Sequence, residues 1–319
     1  MLTRRSVVAG LSGLCVATTR TSRAIAAGQL PRTSVTFEVP RGACDSHVHV
    51  IGKPEEFPMS RDRDNTPPPA TADELRDLLQ FLNFDRVVIV TPDIYGTDNS
   101  ATLAAIKELG QDRARGVAWI DETTSPELLD SMRAAGIAGI RVHIGGKDFD
   151  AAVAANRLQA KFDLAKKRGW HLEFSEPPDV VAALAPQLAS SPVPLVFTYF
   201  GWAAGGVDQP GFDSVLSLIK SGPAYVKLSE PYRLSKKGPN YSDLAPVVQA
   251  LLAANPDRLL WGSGWPYLSG AVPGRPKTDI TPDLPIDAGQ LLNGFAAWVP
   301  DVETRRKILV ENPARLYGF

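Results

Sequence analysis

Ala43-Cys44-Asp45-Ser46-His47-Val48-His49-Val50 is the stretch on which the fold is decided, an apolar run interrupted by polar residues at alternate positions. A β-strand sends successive side chains to opposite faces, so His47 and His49 share one face and Val48 points the other way. Seven further runs follow, at Arg86 to Thr91, Gly116 to Asp121, Gly139 to Ile144, His171 to Ser175, Leu195 to Tyr199, Tyr225 to Ser229 and Leu259 to Ser263. Helical patterns separate them. Thr71 to Glu74 forms a capping box ahead of Leu75, Leu78, Leu79 and Leu82, which repeat at helical spacing. Ser100 to Leu109, Pro126 to Ala135, Ala151 to Arg168 and Ser242 to Ala254 read the same way. Strands alternating with helices in one α/β domain predict a (β/α)₈ TIM barrel over residues 43–319, with a doubly wound open sheet as the alternative. Residues 27–42 read as a surface lead-in, and the Pro- and Gly-rich stretch from Tyr267 to Asp287 as a loop long enough to cover a site.

Active sites of barrels lie at the carboxyl ends of the strands, so strand parity selects candidates. His47 and His49 fall together on inward parity, as do Arg141 and His143, and as do His171, Glu173 and Ser175. Two imidazoles on one strand face suit a divalent metal or proton transfer near neutral pH. His171, at the start of its strand, reads as an ordinary core histidine. Arg141, Arg233 and Lys227 lie near the same rim and suit an anionic ligand; the competing reading pairs them with Glu173, Glu176 or Glu230.

At the amino end, Arg4-Arg5 precedes an apolar run from Val7 to Ala17 and the small-residue site Ala24-Ile25-Ala26. This pattern predicts a twin-arginine-type signal over residues 1–26 and a periplasmic or secreted protein. The apolar run is too short to cross a bilayer, so no membrane span is expected after cleavage. Cleavage would remove four arginines and no acidic residue, taking a formal charge of -1 to -5. A nucleic-acid partner is therefore not expected. Cys44 would be the one cysteine left of two, a buried small residue that cannot form an internal disulfide.

Several motifs carry a family resemblance: Cys44-Asp45-Ser46-His47-Val48-His49, Tyr95-Gly96-Thr97-Asp98-Asn99, Gly139-Ile140-Arg141, Gly169-Trp170-His171, Trp261-Gly262-Ser263, Trp265-Pro266 and the closing Asn312-Pro313-Ala314-Arg315-Leu316-Tyr317. Together they make the chain resemble the amidohydrolase-related family from about Ala43 to Phe319, and within it the lactonase-like branch that acts on 2-pyrone-4,6-dicarboxylate. The resemblance implies a distorted TIM barrel with hydrolytic chemistry on small organic acids. It also implies substrate contacts from Arg141, Arg233 and the loop holding Tyr95 and Thr97. Two departures stand out. Where the family has a histidine and an arginine after strand six, this chain has Tyr199 and Trp202. Where it has the strand-eight aspartate that takes a proton from water, this chain has Gly264.

Three readings of such a site follow. In the first, a rewired hydrolase opens a small carboxylate, lactone or cyclic organic acid. There His47, His49 and Glu173 hold one zinc or manganese ion or work without metal, His143 makes a further contact, and Tyr199 donates to a developing oxyanion. In the second, a non-catalytic periplasmic binding or sensor protein holds a small anionic or aromatic acid against Trp202, Tyr199, Tyr267 and Trp265. The third is a metal-free isomerase or lyase. The oligomeric state is not legible.

Overall fold

A computed structural model describes residues 32–146 and 148–319. The leader read over residues 1–26 lies outside the described residues. Eight parallel strands form one sheet: β1 Cys44–Val48, β2 Arg86–Val90, β3 Ala114–Ala118, β4 Ile137–Val142, β5 His171–Phe174, β6 Leu195–Phe197, β7 Ala224–Ser229 and β8 Leu259–Gly262. Each is hydrogen-bonded to the next in sequence order. The ring closes between β1 and the residues leaving β8. There Gly264 N donates to His47 O at 2.8 Å, His49 N donates to Trp265 O at 2.7 Å, and Ser263 N donates to Asp45 Oδ1 at 2.9 Å. The predicted TIM barrel is the observed fold, and the open sheet is not.

The core has two parts. The larger lies between the strands and the outer helices. A smaller one fills the barrel's lower interior with Cys44, Val88, Val90, Val117, Val196, Tyr225 and Leu260, plugged by Tyr317 from the last helix. Cys44 is inside this plug, yet His47, three residues on, also faces the interior. An unbroken strand alternates every second residue, so one extra residue must intervene. The β1–β2 register shifts between Asp45 and Val48, and this irregularity turns both histidines inward above the plug.

The outer helices begin where the sequence predicts. Over Ala72–Leu82, Thr71 N donates to Glu74 Oε2 at 2.8 Å while Glu74 N donates back to Thr71 Oγ1, and Leu75, Leu78, Leu79 and Leu82 are buried. Helices over Ser100–Leu109, Pro126–Ala134 and Ala151–Arg168 match their predicted spans to within a residue. Ser242 to Ala254 divides into a short 3₁₀ turn over Ser242–Leu244 and an α-helix over Ala245–Ala254, because Pro246 is suited to the first turn of a helix but not to its interior. Among the described residues no helix is long and apolar enough to cross a membrane.

Candidate active site

The site is built around His47, a side chain with no accessible surface. Its two ring nitrogens meet two different carboxylates. On one side Lys227 Nζ lies 3.3 Å from Nδ1, and Glu173 Oε1 is 3.7 Å from the same atom. Lys227 in turn donates to Glu173 Oε2 at 2.5 Å. On the other side, Nε2 faces Glu230 Oε1 at 3.4 Å, while the second oxygen of Glu230 accepts from Arg233 Nε. Each buried carboxylate is thus neutralised by one cation, as burial requires. A lysine ammonium is only a donor, so Nδ1 of His47 is the acceptor and the neutral ring carries its proton on Nε2, toward Glu230.

His49 stands one layer higher, its ring edge-on to His47 with centroids 5.1 Å apart. Its Nδ1 lies 2.7 Å from Val90 O; a carbonyl can only accept, so the proton is on Nδ1 and the Nε2 lone pair is free. Burial, and then the Lys227 cation, holds His47 well below the usual imidazole range. Burial and Arg141 push His49 down to about 3. Both rings are therefore neutral at pH 7. Burial, reinforced by Glu230, raises Tyr199, which stays a phenol.

Above these groups opens a cavity of about 670 Å³. Its walls carry His49, Arg141, Glu173, Tyr199, Trp202 and Arg233, with Trp119 from the end of β3 and Asp64 and Asp93 from the loops after β1 and β2. The Arg141 guanidinium rests over Trp119 at 4.7 Å and donates to Thr91 O at 3.2 Å. Arg233 lies over the Tyr199 ring at 5.4 Å. Leu268, Gly270 and Ala271 of the loop predicted to cover the site do line the cavity.

The sequence profile of the family described as Amidohydrolase matches residues 44–319. The chain belongs to the amidohydrolase family. It is 32% identical over 286 residues to a 4-sulfomuconolactone hydrolase of Rhizobium radiobacter, across 89% of this chain and 92% of the relative. It is 30% identical over 292 residues to a 2-pyrone-4,6-dicarboxylate hydrolase of Comamonas testosteroni, across 88% of this chain and 92% of that one. A ligand-free crystal structure from Agrobacterium tumefaciens superposes with a TM-score of 0.74 at 27% identity, across 90% of this chain and 99% of its own. The resemblance carried by the sequence motifs is thereby established.

Within this amidohydrolase barrel the candidate residues divide. His49, Arg141, His143, Glu173, Tyr199, Trp202 and Arg233 reach the cavity. Tyr95 and Thr97 do not line it. Tyr95 is buried, its hydroxyl accepting from Gly52 N at 3.0 Å, and Thr97 is exposed; the loop offers Pro92 and Asp93 instead. Lys227 is not a substrate contact, because it lies wholly buried beneath the cavity and is paired with Glu173. His143 sits on the rim, with Nδ1 3.0 Å from Glu176 Oε1. Tyr267 and Trp265 are fully buried core residues, not cavity walls. His171 is a floor residue against Tyr317, with ring centroids 5.3 Å apart.

Glu173 is displaced from the expected ligand set. The carboxylate that joins both histidines is Glu230: one ligand atom from each of His47, His49 and Glu230 lies within 4.8 Å of the others. Glu230 follows β7 with φ 52°, and its side chain is buried against His47 and Arg233 without lining the cavity. Its only sequence signal is a carboxylate directly after a barrel strand. Gly264 has φ +76°, and a Cβ there would stand 2.1 Å from Glu230 Cγ. The glycine and the glutamate therefore share one volume.

Proposed function

We propose that the protein is an exported lactone hydrolase that opens a small carboxylated lactone, with Glu230 taking the proton-accepting role left vacant by Gly264. The observation that carries this reading is Glu230 itself, a buried carboxylate within 4.8 Å of both β1 histidines, seated where a side chain at position 264 would otherwise be. The hydrolases among its relatives support the reaction class, and being enzymes they lend nothing to a binding-only role.

In this reading the substrate carboxylate docks on Arg141, and Glu230 Oε1, buried against His47, is uncovered to the cavity by a side-chain movement and accepts a proton from water as the water oxygen attacks the lactone carbonyl carbon. The Tyr199 hydroxyl, kept protonated by burial, donates to the carbonyl oxygen as charge develops on it. The tetrahedral intermediate then collapses, the ring C–O bond breaks, and the departing oxygen takes the proton back from Glu230. His47 and His49, both neutral, orient these groups, and the Lys227–Glu173 pair fixes the His47 ring.

The donor set also fits one divalent cation such as zinc or manganese. His47 Nε2 and Glu230 Oε1 are buried without a hydrogen-bond partner, and His49 presents a free Nε2. A cation bound there would polarise the carbonyl and acidify water. It would also require His47 to move its proton to the nitrogen facing Lys227.

The test is turnover of a lactone panel by the protein purified without chelator, with products identified by NMR to separate hydrolysis from isomerisation. Glu230→Gln should lower kcat by about 10²- to 10⁴-fold, the range for a lost general base, with KM little changed. Full activity in that variant would overturn the assignment. Metal analysis of the same sample, with a His49→Ala control, decides between the two forms of the site. Cell fractionation with Arg4→Lys and Arg5→Lys tests the export route.

A further inference from the structure

Most charges around the cavity already have partners inside the protein. Arg233 gives its Nε to Glu230 and rests its guanidinium on Tyr199. Glu173, on the cavity wall, is held by Lys227, and His143, on the rim, by Glu176. Among the described residues lining the cavity, the cation with no carboxylate within salt-bridge distance is Arg141. Its known contacts are a carbonyl oxygen, Thr91 O, and the face of Trp119. The uncommitted carboxylates there are Asp64 and Asp93, both exposed on the side of the mouth formed after β1 and β2.

Resting on the lactone reading above, we propose that the site selects a lactone with a single anionic group, held by Arg141. We further infer that it discriminates against a lactone of the same ring bearing a second carboxylate or sulfonate. A second anion would meet one of two environments. Beside Arg233 it would compete with Glu230 for a guanidinium already neutralised. Toward the β1–β2 side it would face Asp64 and Asp93, whose like charge repels it. Carboxylate oxygens are hydrogen-bond acceptors, so these two aspartates suit hydroxyl groups on the ring. The substrate class is therefore a hydroxylated monocarboxylate lactone, unlike the dicarboxylate named for the Comamonas relative.

Two arms separate this inference from the reading beneath it. In the first, kcat/KM is measured for matched lactones differing only in a second carboxylate; the monoanion should be favoured by about tenfold or more. In the second, which needs no turnover, calorimetry compares benzoate with benzene-1,3-dicarboxylate. The monocarboxylate should bind at least tenfold more tightly, and Arg141→Met should abolish that binding, with Arg141→Lys retaining part of it. Glu230→Gln, which frees Arg233, should shift the affinity ratio toward the dicarboxylate by about tenfold. Hydrolysis of both lactones with equal or greater preference for the dianion would overturn the inference while leaving the hydrolase reading intact. Absence of any lactone hydrolysis, with the expected calorimetric order, would do the reverse. Benzoate binding unchanged in Arg141→Met would remove Arg141 from the role.

Discussion

Lys227 has no accessible surface, and burial lowers its pKa against the opposing pull of Glu173. Removing one partner of such a pair leaves an uncompensated buried charge. Lys227→Met should therefore cost about 3–5 kcal/mol of stability, measured by urea unfolding. Lys227→Met combined with Glu173→Leu should recover most of that loss, because a packed apolar pair replaces the ionic one without a stranded charge. Gly264→Asp makes a sharper test of the Glu230 assignment. A side chain at φ +76° is itself disfavoured, and its Cβ would overlap Glu230, so the single substitution should destabilise by more than about 2 kcal/mol. Adding Glu230→Ala should relieve part of that cost, whereas equal destabilisation in both backgrounds would show that the two positions do not share space. Glu230 also marks the limit of what the sequence reveals at this scale. A glutamate in the left-handed region is uncommon, and no local pattern signals that β7 will end by turning one inward. Glu173 was legible as inward-facing and Lys227 only as lying near the rim; which charge would neutralise which depends on depth in the barrel, and depth is a tertiary quantity.

Alternation in strands has a strict period of two, which is why the inward sets of β4 and β5 could be read in advance. His171, Glu173 and Ser175 do rise in a column from the Tyr317 plug to the cavity. The β1 set came out right for His47 and His49 although the strand carries an irregularity below them. The turn after β6 was not legible: Tyr199, Phe200, Gly201 and Trp202 all have positive φ, at 52°, 55°, 67° and 58°. Such a run is costly for L-residues, and its effect is to bring both Tyr199 and Trp202 to the cavity wall. Where β4 and β5 end, His143 and Glu176 tie the two strand ends together. The Glu176 hydrogen bond raises the His143 pKa despite partial burial. For Glu176 burial works upward but is outweighed by His143 and the Ile144 amide, so its pKa is lowered from 4.5. The histidine's contribution is complete below its unfolded value of 6.5 and fades as pH rises through the raised folded value. The glutamate's is complete above 4.5 and fades as pH falls through the lowered one. The stability difference between the wild type and His143→Asn should therefore be largest near pH 5–6 and shrink by pH 8. A difference independent of pH would refute the ionic coupling.

At the scale of the whole molecule, the stretch read as a surface lead-in is fastened to the barrel's last large helix, Ala288–Trp298. Asp287 caps that helix through Gln290 N and also accepts from Thr33 N and Thr33 Oγ1, while Asn293 Oδ1 accepts from Thr36 N at 2.8 Å. Polar composition hid this, because the partners lie more than 250 positions away in sequence. A chain beginning at Ala43 should lose several hydrogen bonds at roughly 1 kcal/mol each and melt roughly 5–10 °C lower, as calorimetry would show. The barrel seam has a wider consequence. The backbones that join the first strand to the residues after the last belong to His47 and His49, so the imidazoles are mounted on the stitches themselves. A thermal fluctuation that unzips the ring there must scatter the reacting groups at the same instant. Heat inactivation and loss of ellipticity should then trace one curve, with no folded but idle form between them.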